Sequence, residues 1–298
     1  MEKHKFSIVT ICYNAAKELP LTMESVLKQD YSDFEYIIQE GASTDNSEEI
    51  ILSYKEKFLK KGISFIYCKG KDKGIYDAMN LAVLSASGEY VNFMNAGDCF
   101  YNKEVLSSVN KFLNDNIPAA DGQNAAGHLK EKNPAIIYGD CAEYEYGRFY
   151  LFPKCPDKIE EVMPFSHQSV FAKRDFLCEH PFKLTYRYSA DYDFLLTAHD
   201  LGVTFADCGS IICITTKDGV SSINYHDMLM ESADILKNHN KYHHSDAELA
   251  RIEKSLKLKQ FVLDRFPDFI KKFIRGVQIK SRGQSFDAQI PEWYKKRL

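Results

Sequence analysis

Short runs of apolar residues alternate with amphipathic segments along the first hundred positions of the chain. The apolar runs have the length of strands buried on both faces and are Phe6–Cys12, Phe34–Gln39, Ile63–Cys68 and Tyr90–Met94. The segments between them have helical spacing and are Leu19–Lys28, a segment ending at about Lys60, and Ile75–Ser85. This alternation predicts an α/β fold with a Rossmann-like nucleotide-binding sheet flanked by helices.

Beyond Cys99 the pattern becomes less regular. Strands are predicted at Ala135–Tyr138, in the aromatic-rich stretch Tyr144–Phe152 (a strand or a hairpin), at Val203–Asp207 and at Ile211–Ile214. Helices are predicted at Lys173–Cys178, at Ala190–Leu201 and, with an interruption at Pro267, over most of the chain after Ser222. The small, polar segment Ala119–Lys132 predicts a mobile surface loop. We therefore divide the chain into a catalytic domain, 1–222, and a C-terminal helical extension, 223–298.

Composition and charge exclude two broad classes of protein. The 298 residues are 45% hydrophobic and 27% charged, which excludes wholesale disorder. The net charge of −4, together with the absence of a recognition motif, argues against nucleic acid as a partner. The charge is uneven: residues 251–298 carry 13 basic and 5 acidic side chains, or +8, which leaves −12 on residues 1–250.

Cysteine usage and hydropathy predict a location inside the cell. The eight cysteines show no C-x-x-C pair and no regular spacing, a pattern typical of reduced thiols. The apolar run Ile8–Cys12 is too short for a signal-peptide core, and no window approaches the roughly 18 apolar residues of a membrane span. The prediction is a cytoplasmic protein, with at most peripheral contact at the inner face of the membrane.

Polar residues follow each of the four predicted N-terminal strands. These segments are Cys12–Asn14, Glu40–Ala42, Lys69–Gly74 and Asn95–Asp98. In an open parallel sheet, ligands bind beyond the carboxyl ends of the strands. One polar loop has little meaning, because loops are polar everywhere, but polar groups at four neighbouring strand ends predict a ligand site.

Four ordered motifs carry a family resemblance. They are SIVTICYN from Ser7, EGASTDNS from Glu40, DKGIYDAMN from Asp72, and GEY from Gly88 with NAGD from Asn95. In order and spacing they resemble bacterial family 2 glycosyltransferases of GT-A fold over about residues 5–220. The resemblance implies inverting transfer of a sugar from a nucleoside diphosphate sugar, such as a UDP-sugar, with the help of Mn²⁺ or Mg²⁺. The implied acceptor is a hydroxyl of a polysaccharide or of a lipid-linked saccharide.

The resemblance also implies a set of donor-binding residues. They are Thr10, Tyr13, Asn14, Glu40, Asp72, Lys73, Asn80, Asn95 and Asp98. Tyr13 would stack on the base, with burial in the core as the structural alternative. Glu40 would accept a hydrogen bond from a base N–H, and Lys73 would help to balance the diphosphate charge. Asn80 would either bind the donor or fasten its helix to a loop, and Ser43 and Asp45 are interpreted as helix caps.

The segment Asn95–Asp98 departs from the family pattern. Asn95 and Gly97 stand where many members carry acids that hold the ribose and the metal. Asp98 is the one carboxylate that remains in this segment. Hard divalent cations need oxygen ligands, and a diphosphate supplies two of them. We therefore expect Asp98 to bind the metal.

Inversion requires a general base that deprotonates the acceptor hydroxyl. The resemblance places it at Asp191, in the segment Ser189–Asp193 that opens a predicted helix, where a helix cap is the structural alternative. His167 and Gln168 would lie on the acceptor side. A further set of histidines, His239, His243 and His244, has a spacing that zinc could use, although a solvated helix face explains it better.

The sequence leaves two questions open, namely the role of the basic tail and the choice between the glycosyltransferase and two rival functions. Phenylalanines interleaved with Lys and Arg between Phe261 and Arg282 suit either a helix on an anionic membrane or a helix packed on the core. The first rival function is a sugar-phosphate nucleotidyltransferase, but Cys12–Ala16 lacks the Gly-rich basic loop of that class. The second is a catalytically weak or inactive nucleotide-sugar-binding protein, which the reduced number of acids at Asn95–Asp98 keeps open.

Overall fold

A computed structural model describes residues 3–116, 134–145, 148–152, 154–216 and 225–243, with further short stretches and single positions between 245 and 266. Its strands are β1 Phe6–Cys12, β2 Phe34–Glu40, β3 Ser64–Lys69, β4 Tyr90–Phe93, β5 Cys99–Phe100, β6 Ile136–Glu145, β7 Arg148–Phe152, β8 Val170–Lys173 and β9 Phe205–Thr216. Its helices are α1 Leu19–Leu27, α2 Ser47–Lys60, α3 Ile75–Ser85, α4 Val105–Asn116, α5 Arg174–Glu179, α6 Ala190–Asp200 and α7 Tyr225–Asn238.

The described strands form one mixed sheet in the order β3-β2-β1-β4-β8-β6-β9-β5, with β7 paired to β6. The first four strands are parallel to one another. Strand β8 then joins β4 in the antiparallel direction, and β6 pairs with β8 antiparallel and with β9 parallel. The predicted α/β class, with a parallel N-terminal half inside a mixed sheet, is confirmed.

Two helical layers cover the faces of the sheet, because β1 and β2 bury every side chain and so need apolar partners on both sides. Helices α1, α2 and α4 pack on one face through side chains such as Leu19, Phe58 and Leu106. Helices α3, α5, α6 and α7 pack on the other through side chains such as Met79 and Ile235. Helix α7, which the sequence analysis assigned to the extension, thus contributes to the same core as α6.

A glycine permits the close approach of the segment before β4 to β1. A Cβ atom at Gly88 would lie 2.5 Å from the carbonyl carbon of Phe6 and 2.5 Å from the nitrogen of Ser7. No side chain fits at that distance from backbone. Gly88 also donates its N–H to Ser7 Oγ at 2.9 Å, which holds the two segments together.

In the second half of the chain, the local hydrophobic pattern did not predict all strand boundaries correctly. The predicted strands Val203–Asp207 and Ile211–Ile214 are parts of one strand, β9, whose register against β6 is irregular at Asp140. Gly209, at φ +66°, donates to Asp207 Oδ1 at 2.9 Å, so a local turn interrupts the apolar pattern without ending the strand. The segment Tyr144–Phe152 contributes to a hairpin of β6 and β7, as predicted.

Several predictions concern residues beyond those described. The loop Ala119–Lys132 and most of the basic tail lie outside the described residues. The division of the chain at residue 222 stays a prediction. Within the described part of the chain, the helices are all too short or too polar to cross a membrane.

Candidate active site

The carboxyl ends of β1, β2 and β3 lie side by side at one edge of the sheet. Cys12 is paired in register with Glu40, and Glu40 with Lys69. The next strand, β4, lies on the other side of β1, and Met94, which follows it, donates its N–H to Val9. The four polar segments predicted from the sequence therefore lie at one edge of the sheet, and the region between them is called the cleft below.

An exposed aromatic ring borders the cleft at its β1 end. Tyr13 is 64% exposed, so its ring is not a core aromatic. A Cβ atom at Gly41 would lie 3.4 Å from Tyr13 Cδ2 and 2.8 Å from Asp72 Oδ2. The ring and the Asp72 carboxylate thus flank the bare backbone of Gly41. A flat ring beside an open stretch of backbone is a suitable surface for a nucleobase.

A buried carboxylate lies behind this surface. Glu40 is fully buried, its Oε1 accepts the N–H of Ser43, and its Oε2 has no hydrogen-bond partner. Burial, followed by the negative charges of Glu40, Asp45 and Asp72, raises the pKa of the nearby Cys12 thiol to about 12. An unpaired buried acceptor costs free energy, and a ligand N–H would offset that cost.

The loops after β1 and β2 are joined by hydrogen bonds. Asn14, at φ 49°, donates its N–H to Ser43 Oγ at 2.8 Å and accepts the Thr44 N–H at 2.8 Å on Oδ1. Asp45 accepts the N–H groups of Ser47 and Ala16. Asp45 thus accepts the N–H of the first residue of α2, in agreement with its interpretation as a helix cap. Ser43 does not cap α2 and accepts the N–H of Asn14 instead.

Two predicted donor-binding residues have other roles. Thr10 is fully buried, and its hydroxyl donates to the Met94 carbonyl at 2.7 Å and lies 2.8 Å from the Tyr36 hydroxyl. The amide of Asn80 is occupied by the backbone of Phe182, in one bond as donor and in one as acceptor, each of 2.9 Å. Thr10 thus joins β1 to the residue after β4, and Asn80 fastens α3 to the loop before α6, which is the second of the two roles considered for it.

The segment Asn95–Asp98 lies over the first turn of α1. The Thr22 hydroxyl donates to the Asp98 carbonyl at 2.7 Å and accepts the N–H of Gly97 at 3.0 Å. Gly97 has φ +102°, a conformation that a side-chain-bearing residue rarely adopts. The turn between Asn95 and Asp98 therefore favours glycine at position 97.

Asp98 is a buried carboxylate whose charge is poorly compensated. It is 9% exposed, and its Oδ2 accepts the Gln168 amide at 2.9 Å. Burial raises its pKa to about 6, although the Gln168 bond and the charge of His167 act in the opposite direction. No lysine or arginine pairs with it among the residues that the structure describes. Asn95 Oδ1 is also buried there without a partner. Two such oxygens suit a hard divalent cation, so the residues present fit the implied metal.

Asp191 lies at the start of α6 within a network of three other groups. Its Oδ2 is 3.0 Å from His167 Nδ1, and its Oδ1 accepts the Tyr76 hydroxyl at 2.9 Å and the Tyr192 N–H at 3.0 Å. The Asp191 side chain is 14% exposed. Two carboxylate oxygens offer about four acceptor positions, and three are taken, which leaves one on Oδ2.

His167 joins this carboxylate to the segment after β4. Its Nε2 lies 3.1 Å from Asn95 Nδ2. Burial lowers the pKa of His167, but the hydrogen bond and charge of Asp191 and the charge of Asp98 outweigh that effect, so the net shift is upward. When the ring is neutral, His167 Nε2 accepts a hydrogen bond from the Asn95 side-chain amide. When the ring is an imidazolium, Nε2 carries a proton and would donate to Asn95 Oδ1, which requires the Asn95 amide group to rotate by about 180°.

The other side of the His167–Asp191 pair is apolar. A cavity of about 20 Å³ adjoins the pair and is lined by side chains that include Val91, Phe93, Phe182 and Phe194. Low-polarity surroundings strengthen electrostatic interactions within the pair. They also restrict water to the cleft side.

Of the histidines considered for zinc, the described ones do not form such a site. Both ring nitrogens of His239 bind carboxylates, Asp193 at 3.2 Å and Asp200 at 2.6 Å, and His244 lies outside the described residues. Glu160, His199 and Asp200 do offer atoms within 4.8 Å of one another. However, Lys241 already pairs with both carboxylates of that group. His199 also lies about 12 Å along α6 from Asp191, at ~1.5 Å per residue.

Three side chains at the site were missed by the sequence analysis. Tyr76 donates to Asp191, Glu231 binds the turn before α6, and Glu18 Cγ lies 3.7 Å from where a Gly97 Cβ would stand. Tyr76 belongs to the DKGIYDAMN motif, so its position next to a glycine-led helix start was a usable signal. Glu18 and Glu231 reach the site only through tertiary packing, and the sequence carries no signal for them.

Comparison with known proteins identifies the family. The sequence model described as glycosyl transferase family 2 matches residues 7–178, which is more than half of the chain. The chain belongs to glycosyl transferase family 2. This family 2 glycosyltransferase is 28% identical over 194 residues to a PGL/p-HBAD biosynthesis glycosyltransferase of Mycobacterium tuberculosis, covering 63% of this chain and 67% of that protein. Membership sets aside the nucleotidyltransferase alternative.

Solved structures show the same fold for this family 2 glycosyltransferase. Residues 1–349 of Staphylococcus aureus TarS in complex with UDP align with a TM-score of 0.59 and 18% identity, covering 82% of this chain and 68% of that 1–349 chain. The mannosyltransferase PcManGT of Pyrobaculum calidifontis, in complex with GDP-Man and Mn²⁺, aligns with a TM-score of 0.60 and 15% identity, covering 93% and 81%. The predicted GT-A fold is confirmed.

Proposed function

We propose that this glycosyltransferase transfers a sugar, with inversion, from a UDP-sugar to a hydroxyl of a polysaccharide or lipid-linked saccharide. One observation carries the proposal. His167 lies 3.0 Å from Asp191 and 3.1 Å from Asn95, and so joins the expected base to the expected donor segment. These parts come from distant positions in the chain, and an inverting transfer needs them on two sides of one reacting carbon.

At the nucleotide end, the exposed ring of Tyr13 stacks on the base. The free Oε2 of Glu40 accepts its N–H, which for uracil is the single N–H at N3. Asp72, which flanks Gly41 beside that ring, binds the nucleotide from the other side, while the backbone and side chain of Asn14 shape the loop over it. Lys73, which is exposed at the start of α3, lies close enough in sequence to Asp72 to contribute positive charge near the diphosphate.

At the diphosphate end, Asp98 and Asn95 Oδ1 would hold Mn²⁺ or Mg²⁺. The bound ion would supply Lewis-acid stabilisation of the charge on the leaving diphosphate. Gln168 orients the Asp98 carboxylate through its 2.9 Å hydrogen bond. PcManGT, of the same fold, is described with Mn²⁺, which is consistent with a divalent ion here.

At the acceptor end, Asp191 takes the proton. The acceptor hydroxyl donates to the free position of Asp191 Oδ2, and its oxygen forms the new bond to the anomeric carbon. The bond from that carbon to the phosphate oxygen breaks, and its electron pair leaves with UDP. His167 Nδ1 lies 3.0 Å from Oδ2 and holds this oxygen from the other side, which fixes the direction of the free acceptor position.

A thermal-shift panel tests the choice of donor. We expect UDP and UDP-sugars to raise the melting temperature more than GDP, GDP-mannose or ADP, and Mn²⁺ to increase the shift, because ligands that bind the native state stabilise it. A larger shift with GDP than with UDP at equal concentration would contradict the assignment of the base. The UDP-sugar with the largest shift then serves as the donor in turnover assays.

Replacing Tyr13 with alanine should weaken UDP binding by about 1–3 kcal/mol, or roughly 5- to 150-fold, the usual range for loss of a stacking ring. Isothermal titration calorimetry measures the affinity. The exposed ring makes few contacts of its own, so the melting temperature of the free protein should change little. Tyr31→Ala is the control, because Tyr31 meets Phe6 edge to face at the start of β1, the end of the strand opposite to Tyr13. Equal UDP affinities in wild type and Tyr13→Ala would refute the stacking role.

The effect of Mn²⁺ should depend on pH through Asp98. Its pKa of about 6 in the folded chain exceeds the ordinary value of 3.8, so below pH 6 a metal ion must displace a proton from this carboxyl. We therefore expect the Mn²⁺-dependent gain in UDP affinity to shrink as the pH is lowered from 7 to 5. Without metal, the folded state holds the extra proton between about pH 4 and 6, so this group lowers the stability as the pH rises through that window. A gain unchanged from pH 7 to pH 5 would show that Asp98 is not the ligand.

The basic tail is proposed to contact an anionic membrane surface. Its net charge of +8 and its interleaved phenylalanines support this proposal. A chain shortened at residue 256 should sediment less with vesicles containing phosphatidylglycerol than the 298-residue chain does, while both bind UDP. Equal sedimentation of the two chains would contradict membrane contact through the tail.

A further inference from the structure

Helix α7 reaches the turn before the base helix α6 through one carboxylate. Glu231 Oε1 accepts the backbone N–H of Arg187 at 2.8 Å, and Oε2 accepts those of Tyr188 at 2.7 Å and Ser189 at 3.0 Å. Hydrogen bonds to a charged acceptor are about twice as strong as neutral ones. Ser189 is the residue before α6, and Asp191 is the second residue of that helix. Three strong bonds therefore fix the backbone two residues ahead of the base.

The start of α6 lacks a side-chain cap of its own. Ser189 occupies the cap position without making the usual bond to the helix. Its hydroxyl instead donates to the Met228 carbonyl at 3.2 Å and lies 3.4 Å from Ser232 Oγ, both on α7. Both the side chain and the N–H of the cap residue are therefore held by α7.

Helix α7 is itself well anchored. Ile235 and Leu236 are buried in the hydrophobic cluster that also contains Leu195 of α6. Beyond the helix, His239 bonds to Asp193 and Asp200 of α6. Glu231 therefore contacts the turn before α6, and His239, which follows α7, contacts α6 at Asp193 and Asp200.

The contacts of Asp191 tightly constrain the position of its carboxylate. Its two oxygens meet Tyr76, His167 and the Tyr192 N–H at 2.9–3.0 Å. Burial, followed by the charge and hydrogen bond of Asp191, raises the pKa of Tyr76 well above its usual range, with a smaller contribution from the charge of Glu231. A shift of α6 by a fraction of an ångström would lengthen these contacts and move the free position on Oδ2.

We propose that Glu231 is a positioning residue for catalysis: it holds the turn 187–189 so that Asp191 stands in register with His167 and Tyr76. This inference rests on the proposed role of Asp191 as the base. It places a residue of α7, beyond the family match at 7–178, in the catalytic apparatus. Misplacement of a reacting group by about 1 Å can cost 100-fold in rate.

Glu231→Ala tests the inference in the 298-residue chain, with UDP release from the donor chosen in the thermal-shift panel. We expect kcat to fall about 10- to 100-fold, with the dissociation constant of UDP unchanged, because the hydrogen bonds of Glu231 go to the turn 187–189 and not to the proposed nucleotide-binding residues. Glu231→Gln keeps an acceptor and should restore part of the turnover. Asp227→Asn, one turn earlier on α7 and bonded to its neighbour His226, is the matched control and should retain full turnover.

A double-mutant cycle separates positioning from general stability. If Glu231 acts through Asp191, adding Glu231→Ala to Asp191→Asn should cost less than about twofold further in kcat. Losses that multiply in the double variant would overturn the inference, as would full turnover in Glu231→Ala. So would a parallel loss of UDP binding in both Glu231 variants.

Failure of the proposed function would look different. If Asp191→Asn kept its turnover, the base assignment would fail, and the positioning role would fail with it. An inactive Asp191→Asn beside a fully active Glu231→Ala would refute the positioning role alone.

Discussion

Replacing Asp191 with asparagine is expected to lower turnover by about 10²–10⁴-fold, the usual contribution of a general base. Asparagine has nearly the same shape, and its carbonyl oxygen can still accept from Tyr76, but an amide cannot take a proton from the acceptor hydroxyl. The affinity for UDP should be unchanged, because Asp191 faces the acceptor end of the cleft. Single-turnover release of UDP, together with calorimetry of UDP binding, measures both quantities.

Asp175→Asn is the matched control for this variant, because Asp175 is a highly exposed carboxylate on α5 and pairs only loosely with Arg174 at 3.5 Å. Close to full turnover in Asp191→Asn would contradict the base assignment. Asp193 would be a poor replacement, because it is 3% exposed and lies between Lys183 and His239. The general base would then have to be sought on another element of the cleft.

A variant of His167 decides which member of the pair is the base. Both ring nitrogens of His167 are occupied, Nδ1 by Asp191 and Nε2 by the Asn95 amide, whereas Asp191 Oδ2 has a free acceptor position. We therefore expect His167→Gln to reduce turnover less than Asp191→Asn does. Equal losses in the two variants would mean that His167 takes the proton and that Asp191 orients it.

Replacing Asp98 with asparagine is expected to remove the Mn²⁺ dependence of UDP binding. Partners that only orient a metal ligand already contribute 10- to 100-fold to metal affinity, so loss of the carboxylate itself should cost at least about 100-fold. Binding of UDP without metal should be retained, and should even improve slightly, because the variant no longer buries a negative charge near the diphosphate. Calorimetric titration of UDP with and without Mn²⁺ gives both numbers.

Asp115→Asn, an exposed substitution on α4, is the control for the Asp98 variant. If Mn²⁺ strengthened UDP binding equally in Asp98→Asn and in wild type, Asp98 would not be the metal ligand. Glu18 would then become the next candidate, because its Cγ would lie 3.7 Å from a Cβ atom built at Gly97, next to Asp98 in the chain. The double variant Glu18→Gln, Asp98→Asn would test that alternative.

The N-terminal half of the fold was predictable because its signals are local. Strands β1 and β2 are continuous apolar runs, and the helices between the strands show apolar spacing. The second half of the fold was harder to predict. Strand β8 is short and is followed directly by α5, so the pattern around Lys173 predicted only a helix. Strand β9 was predicted as two strands because a turn at Gly209 interrupts the apolar pattern. The strand continues through that turn because its pairing with β6 resumes after a shift in register.

The family, the parallel half of the sheet and the polar segments at its edge were all predictable from the sequence. The polar segments could be placed together because the carboxyl ends of neighbouring parallel strands lie at the same edge of a sheet. Tertiary structure alone decided which side chains face the cleft. Thr10 and Asn80 carry suitable polar groups, yet both are occupied inside the fold, whereas Tyr13 is exposed.

The partners of Asp191 likewise follow from the tertiary packing. Tyr76 donates to Asp191 across 115 positions of the chain, and Glu231 binds the turn before α6 from a helix that follows it. The physical reason is that periodicity reports which face of an element is buried, whereas a hydrogen bond depends on the packing of two elements against each other. No local pattern encodes that distance.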